Sequence, residues 1–98
     1  MKFARNVQFQ IKNGKEKEFT TLFENSVVPT LKKQNGFREE LTLVNKDGAI
    51  GLSIWEDRKS AETYETATYP EILKTLNPVI VGTPKVDMYE VTTRTLQN

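Results

Sequence analysis

The side chains able to do chemistry in this 98-residue chain are carboxylates, lysines, arginines, three tyrosines and one tryptophan. The sequence contains no histidine and no cysteine, which excludes imidazole bases, thiolate nucleophiles and the usual zinc, haem or iron–sulfur ligands. Fourteen basic residues oppose thirteen acidic ones, and a net charge of +1 does not predict a nucleic-acid groove or a membrane-surface patch. The sequence therefore leaves carboxylate, amine, guanidinium and phenol groups for any chemistry, and it offers no side chain for a histidine- or cysteine-held metal or haem.

Three of these side chains stand out by position. Arg5 falls among the apolar odd-numbered residues of a predicted strand, where it would hold a carboxylate or phenolate; alternatively it reaches solvent or pairs with Glu39. Tyr64 lies on the predicted inner face of a helix, either as a core residue or as a phenol that hydrogen-bonds a ligand. Tyr69 precedes Pro70 at a helix break, where it either closes a pocket or fills the gap.

Two further features allow a chemical and a structural interpretation. Trp55 ends a predicted strand and either lines a cleft or anchors the sheet edge or a dimer face. Glu39 and Glu40 are adjacent in a predicted strand, so their carboxylates are expected to point to opposite faces. They are therefore not predicted to act as an acid–base pair.

The first half of the chain must position these residues. Alternating apolar residues predict a strand over residues 2–11, and apolar steps of three and four predict a helix from Lys15 to about Lys33. Pro29 is expected to bend the end of that helix, and Gly36 to follow its end in a left-handed conformation.

The second half continues the alternation of strands and helices. Two strands are expected over residues 37–46 and 49–56, with Asp57 as the N-cap of the next helix. A second helical piece begins at Pro70, and a strand is expected near residues 85–95. The order β-α-β-β-α-β predicts one α+β domain over residues 1–98, with an antiparallel, ferredoxin-like sheet and two helical segments on one face.

The second face of the sheet is expected to be too apolar for solvent, with Val44, Trp55 and Met88 among its polar residues. Packing against the same face of a second copy would cover it, so a homodimer is expected. No apolar segment is long enough to span a bilayer and no leader-like start is visible, so we expect a cytoplasmic protein without a membrane partner.

These motifs together resemble the antibiotic biosynthesis monooxygenase (ABM)-like proteins of the dimeric α/β-barrel superfamily. The resemblance spans nearly the whole chain and rests on these features: Asn13-Gly14, Pro29 with Gly36-Phe37, the block 52–57 (LSIWED) with Ala61 and Tyr64, and Pro84-Lys85-Val86 with 89–91 (YEV). It implies a ferredoxin-like subunit that dimerises into an α/β barrel.

The resemblance also implies a function. Members of the family include cofactor-independent oxygenases that act on small aromatic quinols or anthrones. On that basis Tyr64 and Arg5 are the candidate catalytic residues, as phenol and anion partner. The candidate pocket residues are Val7, Phe23, Trp55 and Tyr69. The alternative is a non-catalytic dimer that binds a small ligand, since fold does not fix function.

The haem-degrading branch of the family is not expected. Its asparagine, tryptophan and histidine positions fall on Val7, Tyr64 and Lys74. Asn6 is adjacent to the first position, but an offset of one residue points its side chain through the opposite face of the sheet.

Overall fold

A computed structural model describes residues 1–96. Four strands and four α-helical segments alternate in the expected order. Their bounds are β1 (Phe3–Phe9), α1 (Glu16–Leu22), a π-helical turn (Phe23–Val27), α2 (Val28–Lys32), β2 (Phe37–Asn45), β3 (Gly48–Trp55), α3 (Arg58–Ala67), α4 (Tyr69–Leu76), a 3₁₀ turn (Asn77–Val79) and β4 (Lys85–Glu90).

The four strands form one antiparallel sheet in the order β2-β3-β1-β4. The helices cover one face of this sheet, which confirms the predicted ferredoxin-like α+β arrangement. No helix within residues 1–96 is long and apolar enough to cross a membrane.

The first helical segment runs from Glu16 to Lys32, as predicted, but it is not a regular α-helix. A five-residue π turn widens it immediately before Pro29, and the Val28 N–H donates to the Phe23 carbonyl five residues back. A wider turn accommodates a residue that has no N–H to donate. The same turn directs Phe23 and Val27 to the sheet, where both are buried.

The second helical segment is positioned by local hydrogen bonds. The Asp57 side chain accepts from the Ser60 N–H at 2.8 Å, which confirms the predicted N-cap. Gly36 has φ +79°, as its predicted left-handed position requires, and a side chain there would collide with Ser60. Gly36 therefore lets the end of the first helical segment approach the start of α3 closely.

Strand β2 contains one extra residue, and this changes which side chains face the helices. Phe37 pairs with Trp55 but Glu39 pairs with Ile54, so Arg38 is a β-bulge. Beyond the bulge, Glu40 is on the helix-facing side.

The predicted composition of the open face was wrong. Val44, Trp55 and Met88 lie on the helix-facing side, because their cross-strand partners continue the row of Phe3, Arg5 and Phe9. The small residues of β3 also face the helices, where they leave room for the large aromatic side chains of α1 and the π turn. The open face instead carries larger apolar residues: Leu41, Leu43, Ile50, Leu52, Ile54 and Tyr89.

The last strand is shorter than predicted. It ends at Glu90, because its partner β1 begins at Phe3 and only the Val91 N–H bond to the Lys2 carbonyl extends the pairing. The chain beyond it crosses the open face, since Arg94 Nη2 donates to Glu39 Oε1 at 2.7 Å on the opposite edge strand.

Candidate functional site

A small cavity lies between the sheet and the helices. Its volume is about 20 Å³, close to what one water molecule occupies. Three predicted pocket residues, Val7, Phe23 and Tyr69, line it, as do both predicted catalytic residues, Arg5 and Tyr64. The other lining residues are Phe9, Val27, Leu31, Glu40, Gly51, Ser53 and Ile72.

Arg5 is the buried charge of this site. Strand β1 turns it toward the helices as predicted, and only 2% of its surface is exposed. Its Nε donates to Glu65 Oε1 at 2.9 Å, and its Nη2 forms an ion pair with the same oxygen. Glu39, the alternative partner expected from the sequence, pairs instead with Arg94 on the other face of the sheet.

The guanidinium group of Arg5 also lies between two aromatic rings. Its central carbon is 4.9 Å from the ring centre of Tyr64 and 4.5 Å from that of Tyr69. The two ring centres are 6.1 Å apart. Both rings present a negative face to the cation, which stabilises a buried positive charge.

The Tyr69 hydroxyl is buried and has no hydrogen-bond partner among residues 1–96. Arg5 stacks over the Tyr69 ring, and its guanidinium group also lies close enough to the phenol oxygen to lower the pKa of that group. Burial raises the pKa of this phenol, and the positive charge of Arg5 opposes part of that rise. The neutral hydroxyl is therefore a free donor beside the cavity, and leaving it unpaired costs free energy that a ligand oxygen or a water would recover.

Tyr64 is buried on the sheet-facing side of α3, as expected. Its ring packs at 4.9 Å from that of Trp55 and lies beside the Arg5 guanidinium. Burial strongly raises the pKa of its phenol, with Arg5 as the main opposing influence. Tyr64 is therefore a neutral hydrogen-bond donor at physiological pH, not a phenolate base.

Trp55 is fully buried, but it does not line the cavity. It packs against Phe37 and Tyr64, and its indole N–H donates to Ser53 Oγ at 2.8 Å. Trp55 therefore contacts Tyr64 and Ser53 from outside the cavity and holds both side chains in position.

Glu40 is the site residue that sequence reasoning missed. It lies in one row across the sheet with Ser53 and Arg5, which pair through adjacent strands. Burial raises the pKa of its carboxyl to about 7, although a hydrogen bond from Thr42 and the charge of Arg5 both lower it. The signal available in the sequence was the hairpin, because Asn45 pairs with Gly48 across a turn at Lys46 and Asp47, and counting back from that pair places Glu40 opposite Ser53.

The residues of the site suit small organic molecules better than metal ions. Within the described part of the chain, no three metal-ligating side chains come together. The cavity combines an apolar lining with one guanidinium group, two phenols and one carboxylate. A mainly apolar lining with a few polar groups is typical of sites that bind small molecules.

Comparison with solved structures defines the class of protein by its fold. The chain has the ferredoxin-like α+β fold of the antibiotic biosynthesis monooxygenases, which confirms the resemblance inferred from the sequence. No protein-family model matches the sequence, and no curated protein matches it. The likeness is therefore carried by three-dimensional structure.

Three solved structures illustrate it. A protein of unknown function from Nitrosomonas europaea, NE2512, matches with a TM-score of 0.81 at 16% identity, covering 99% of this chain and 95% of that one. SnoaB, a cofactor-independent oxygenase from Streptomyces nogalater, matches with a TM-score of 0.78 at 12% identity over 98% of each chain. The monooxygenase ActVA-Orf6 of Streptomyces coelicolor, solved with nanaomycin D, has a TM-score of 0.78 at 18% identity, covering 98% and 92%.

Proposed function

We propose that this protein is a cofactor-independent monooxygenase that oxidises a small aromatic substrate of the quinol or anthrone type. The observation that carries the proposal is the buried Arg5 guanidinium beside an unpartnered Tyr69 hydroxyl, at a cavity lined mainly by apolar side chains. Such a cavity stabilises an aromatic anion without a metal. The descriptions of SnoaB as a cofactor-independent oxygenase and of ActVA-Orf6 as a monooxygenase add support.

The proposed reaction uses the electron-rich anion of the substrate. Removal of the enol proton of an anthrone gives an anion whose charge is shared with the opposite ring carbon. That carbon reacts with O₂ to form a hydroperoxide, which then loses water to leave a new carbonyl group. In the balanced reaction, an R₂CH₂ group and O₂ give R₂C=O and H₂O: one oxygen atom enters the product and the other leaves as water.

The side chains of the cleft supply the electrostatic part of this mechanism. Arg5 attracts the negative charge, and the two tyrosines donate hydrogen bonds to the substrate oxygens. Because burial raises the pKa of both phenols, they remain protonated donors throughout the neutral range. Donors held in place in an environment of low polarity stabilise a developing anion more strongly than water does.

The substrate must enlarge the cavity in order to bind. Ligand pockets usually occupy about 300–1,000 Å³, whereas this cavity holds about 20 Å³. The places where its wall can yield are the π turn that carries Phe23 and the junction at Thr68, between α3 and Tyr69. Ligand binding is therefore expected to select a more open conformation.

We also propose that the chain forms a homodimer through the open face of the sheet. No helix within residues 1–96 covers that face, and it exposes apolar side chains in adjacent strands. Leu43 is 55% exposed, Leu41 47% and Tyr89 54%. An antiparallel sheet with one uncovered apolar face gains stability when that surface leaves water.

Oxygen consumption in the presence of anthrone tests the proposed function. We expect the purified protein to accelerate O₂ uptake and anthraquinone formation at pH 7.5 in buffer treated with a chelator. Tyr64→Phe should reduce the rate about tenfold or more if its hydroxyl stabilises the anion. Tyr89→Phe, which removes a hydroxyl from the open face, is the matched control and should leave turnover unchanged. Binding of anthrone without oxygen uptake would contradict the proposal.

A further inference from the structure

Glu40 occupies a different position from the other acidic residues. It is the one carboxylate, within the part of the chain that the structure describes, that lines the cavity. The Thr42 hydroxyl donates the only hydrogen bond that it accepts there, to Oε2 at 3.0 Å. Arg5 attracts it but is already paired with Glu65. Glu40 therefore keeps accepting capacity that its surroundings do not use.

The neighbouring Gly51 lets the side chains of the cavity close around this carboxylate. A side-chain carbon at Gly51 would lie 3.2 Å from Glu40 Oε2, 3.3 Å from the Phe9 ring and 3.5 Å from the Phe23 ring. Glu40 and the two rings therefore pack directly over the strand, and only the cavity of about 20 Å³ remains between them. A ligand ring that replaces the Phe23 ring over Gly51 when the π turn opens would bring its own oxygen atom within reach of Glu40.

We propose that Glu40 recognises a hydroxyl group on the aromatic ligand and accepts its proton. The ligand O–H bond breaks, the proton moves to Glu40 Oε2, and the electron pair stays on the ligand oxygen as a phenolate or enolate. Arg5 stabilises the resulting anion, while Glu40 becomes a neutral acid. The oxidation step rests on the function proposed above, whereas recognition of the hydroxyl group is independent of turnover.

The charges around Glu40 set the pH range in which it can act. Arg5 faces it from β1, Tyr64 from α3 and Tyr69 lines the same cavity from α4. Both phenols remain neutral over the range concerned, because burial raises the pKa of each. Since the pKa of Glu40 lies at about 7, the carboxylate that accepts a proton predominates at pH 8 but not at pH 5.5.

The test compares anaerobic binding of 1-naphthol and 1-methoxynaphthalene to the full chain by titration calorimetry. The two probes have the same ring system, and only the first can donate a hydrogen bond. At pH 8 we expect naphthol to bind about tenfold more tightly, and at pH 5.5 we expect most of that preference to disappear. Glu40→Gln should abolish the preference at both pH values.

The adjacent Glu39→Gln is the matched control and should keep the preference, because Glu39 faces away from the cavity. Thr42→Val serves as a second variant. Without the Thr42 hydroxyl that stabilises the carboxylate, the pH midpoint of the preference should move upward. Circular dichroism verifies that each variant is folded.

Two results would overturn the proposal: a naphthol preference that survives in Glu40→Gln, or a wild-type protein that does not distinguish the probes at pH 8. Oxygen uptake with anthrone distinguishes failure of the proposed role of Glu40 from failure of the proposed oxygenase function. If the preference depends on Glu40 but no oxygen is consumed, the recognition role stands and the oxygenase assignment fails. If oxygen is consumed equally by wild type and Glu40→Gln, the oxygenase assignment stands and Glu40 is not its base.

Discussion

The two faces of the sheet carry different kinds of side chain. The helix-facing side carries a row of charged and polar residues across three strands, Arg5, Ser53 and Glu40, and the Arg5 guanidinium lies against two tyrosine rings. The open side carries leucine and isoleucine, and several of these residues remain exposed. An apolar face gains stability from any partner that excludes water, whereas a buried charge is tolerated only with suitable partners.

This difference separates the regions by role. Under the proposals made above, the polar side chains beneath the helices provide specific recognition at a cost in stability, and the leucines on the open side form the dimer interface. Substitutions on the two faces should therefore have effects of different kinds.

The largest expected effect comes from removing the partner of the buried charge. Glu65→Ala leaves Arg5, which is 2% exposed, without its ion pair. We expect a loss of about 3 kcal/mol of unfolding free energy, measured by urea denaturation at pH 7. Glu62→Ala, three residues earlier on the same helix, breaks only an exposed pair with Arg58 and should cost less than about 0.5 kcal/mol. Equal losses of unfolding free energy in the two variants would show that the burial of Arg5 does not determine the cost of removing its partner.

Glu40→Gln should stabilise the protein, and by an amount that depends on pH. Burial raises the pKa of Glu40 from 4.5 to about 7, so the charged form is less favourable in the folded state than in the unfolded state. The cost of ionising it grows as the pH rises from 4.5 to 7 and is constant above that. The variant should match wild type near pH 4.5 and exceed it by roughly 3 kcal/mol at pH 8. Denaturation curves across this range measure the effect. If Glu40 were not desolvated, the difference in unfolding free energy between the variant and wild type would not change with pH.

Leu43→Lys should weaken the proposed dimer. Leu43 is on the open face and Val44 is on the opposite side of the same strand, yet the two are 55% and 44% exposed. We expect Leu43→Lys to raise the dimer dissociation constant about 100-fold, because a symmetric interface buries the new charge twice. Val44→Lys should leave it within about threefold of the wild-type value. Sedimentation equilibrium measures both, and a similar response in the two variants would contradict an interface on the open face.

The smallest expected effect comes from adding a methyl group beside Glu40. Gly51→Ala places a methyl group against the Phe9 ring and the Glu40 carboxylate, at a cost of about 1 kcal/mol in stability. The same methyl group should weaken 1-naphthol binding more than it weakens folding. Thermal denaturation measures the loss of stability, and titration calorimetry on the same sample measures the loss of 1-naphthol affinity. Unchanged affinity would show that the ligand does not bind beside Gly51.

The sequence predicted most of the fold, because its signals are local. Alternation placed the strands, a period near 3.6 placed both helical segments, and the roles of Asp57 and Gly36 followed from capping and backbone chemistry. Much of the cavity lining was also predicted, since Arg5 and Val7 share an inward strand face and Tyr64 faces the sheet.

The errors arose where long-range geometry decides the outcome. Glu65 pairs with Arg5 only because α3 crosses β1 at that point, 60 residues along the chain. Trp55 was predicted on the open face because it shares one side of β3 with the small residues of that strand. The structure shows that this side faces the helices. Glu40 was missed because one unpaired residue reverses the alternation of β2.

The bulge at Arg38 has a consequence for the comparison of relatives. Because Arg38 is unpaired, its loss would leave Phe37 opposite Trp55 and Glu39 opposite Ile54. The loss of one residue between Glu40 and the turn would instead move Glu39 to the helix-facing side in place of Glu40. The bulge therefore tolerates a change in strand length, whereas the paired stretch beyond it determines which acidic side chain lies in the cleft. A length change of that kind would alter the chemistry of the cleft without substituting any of its side chains directly.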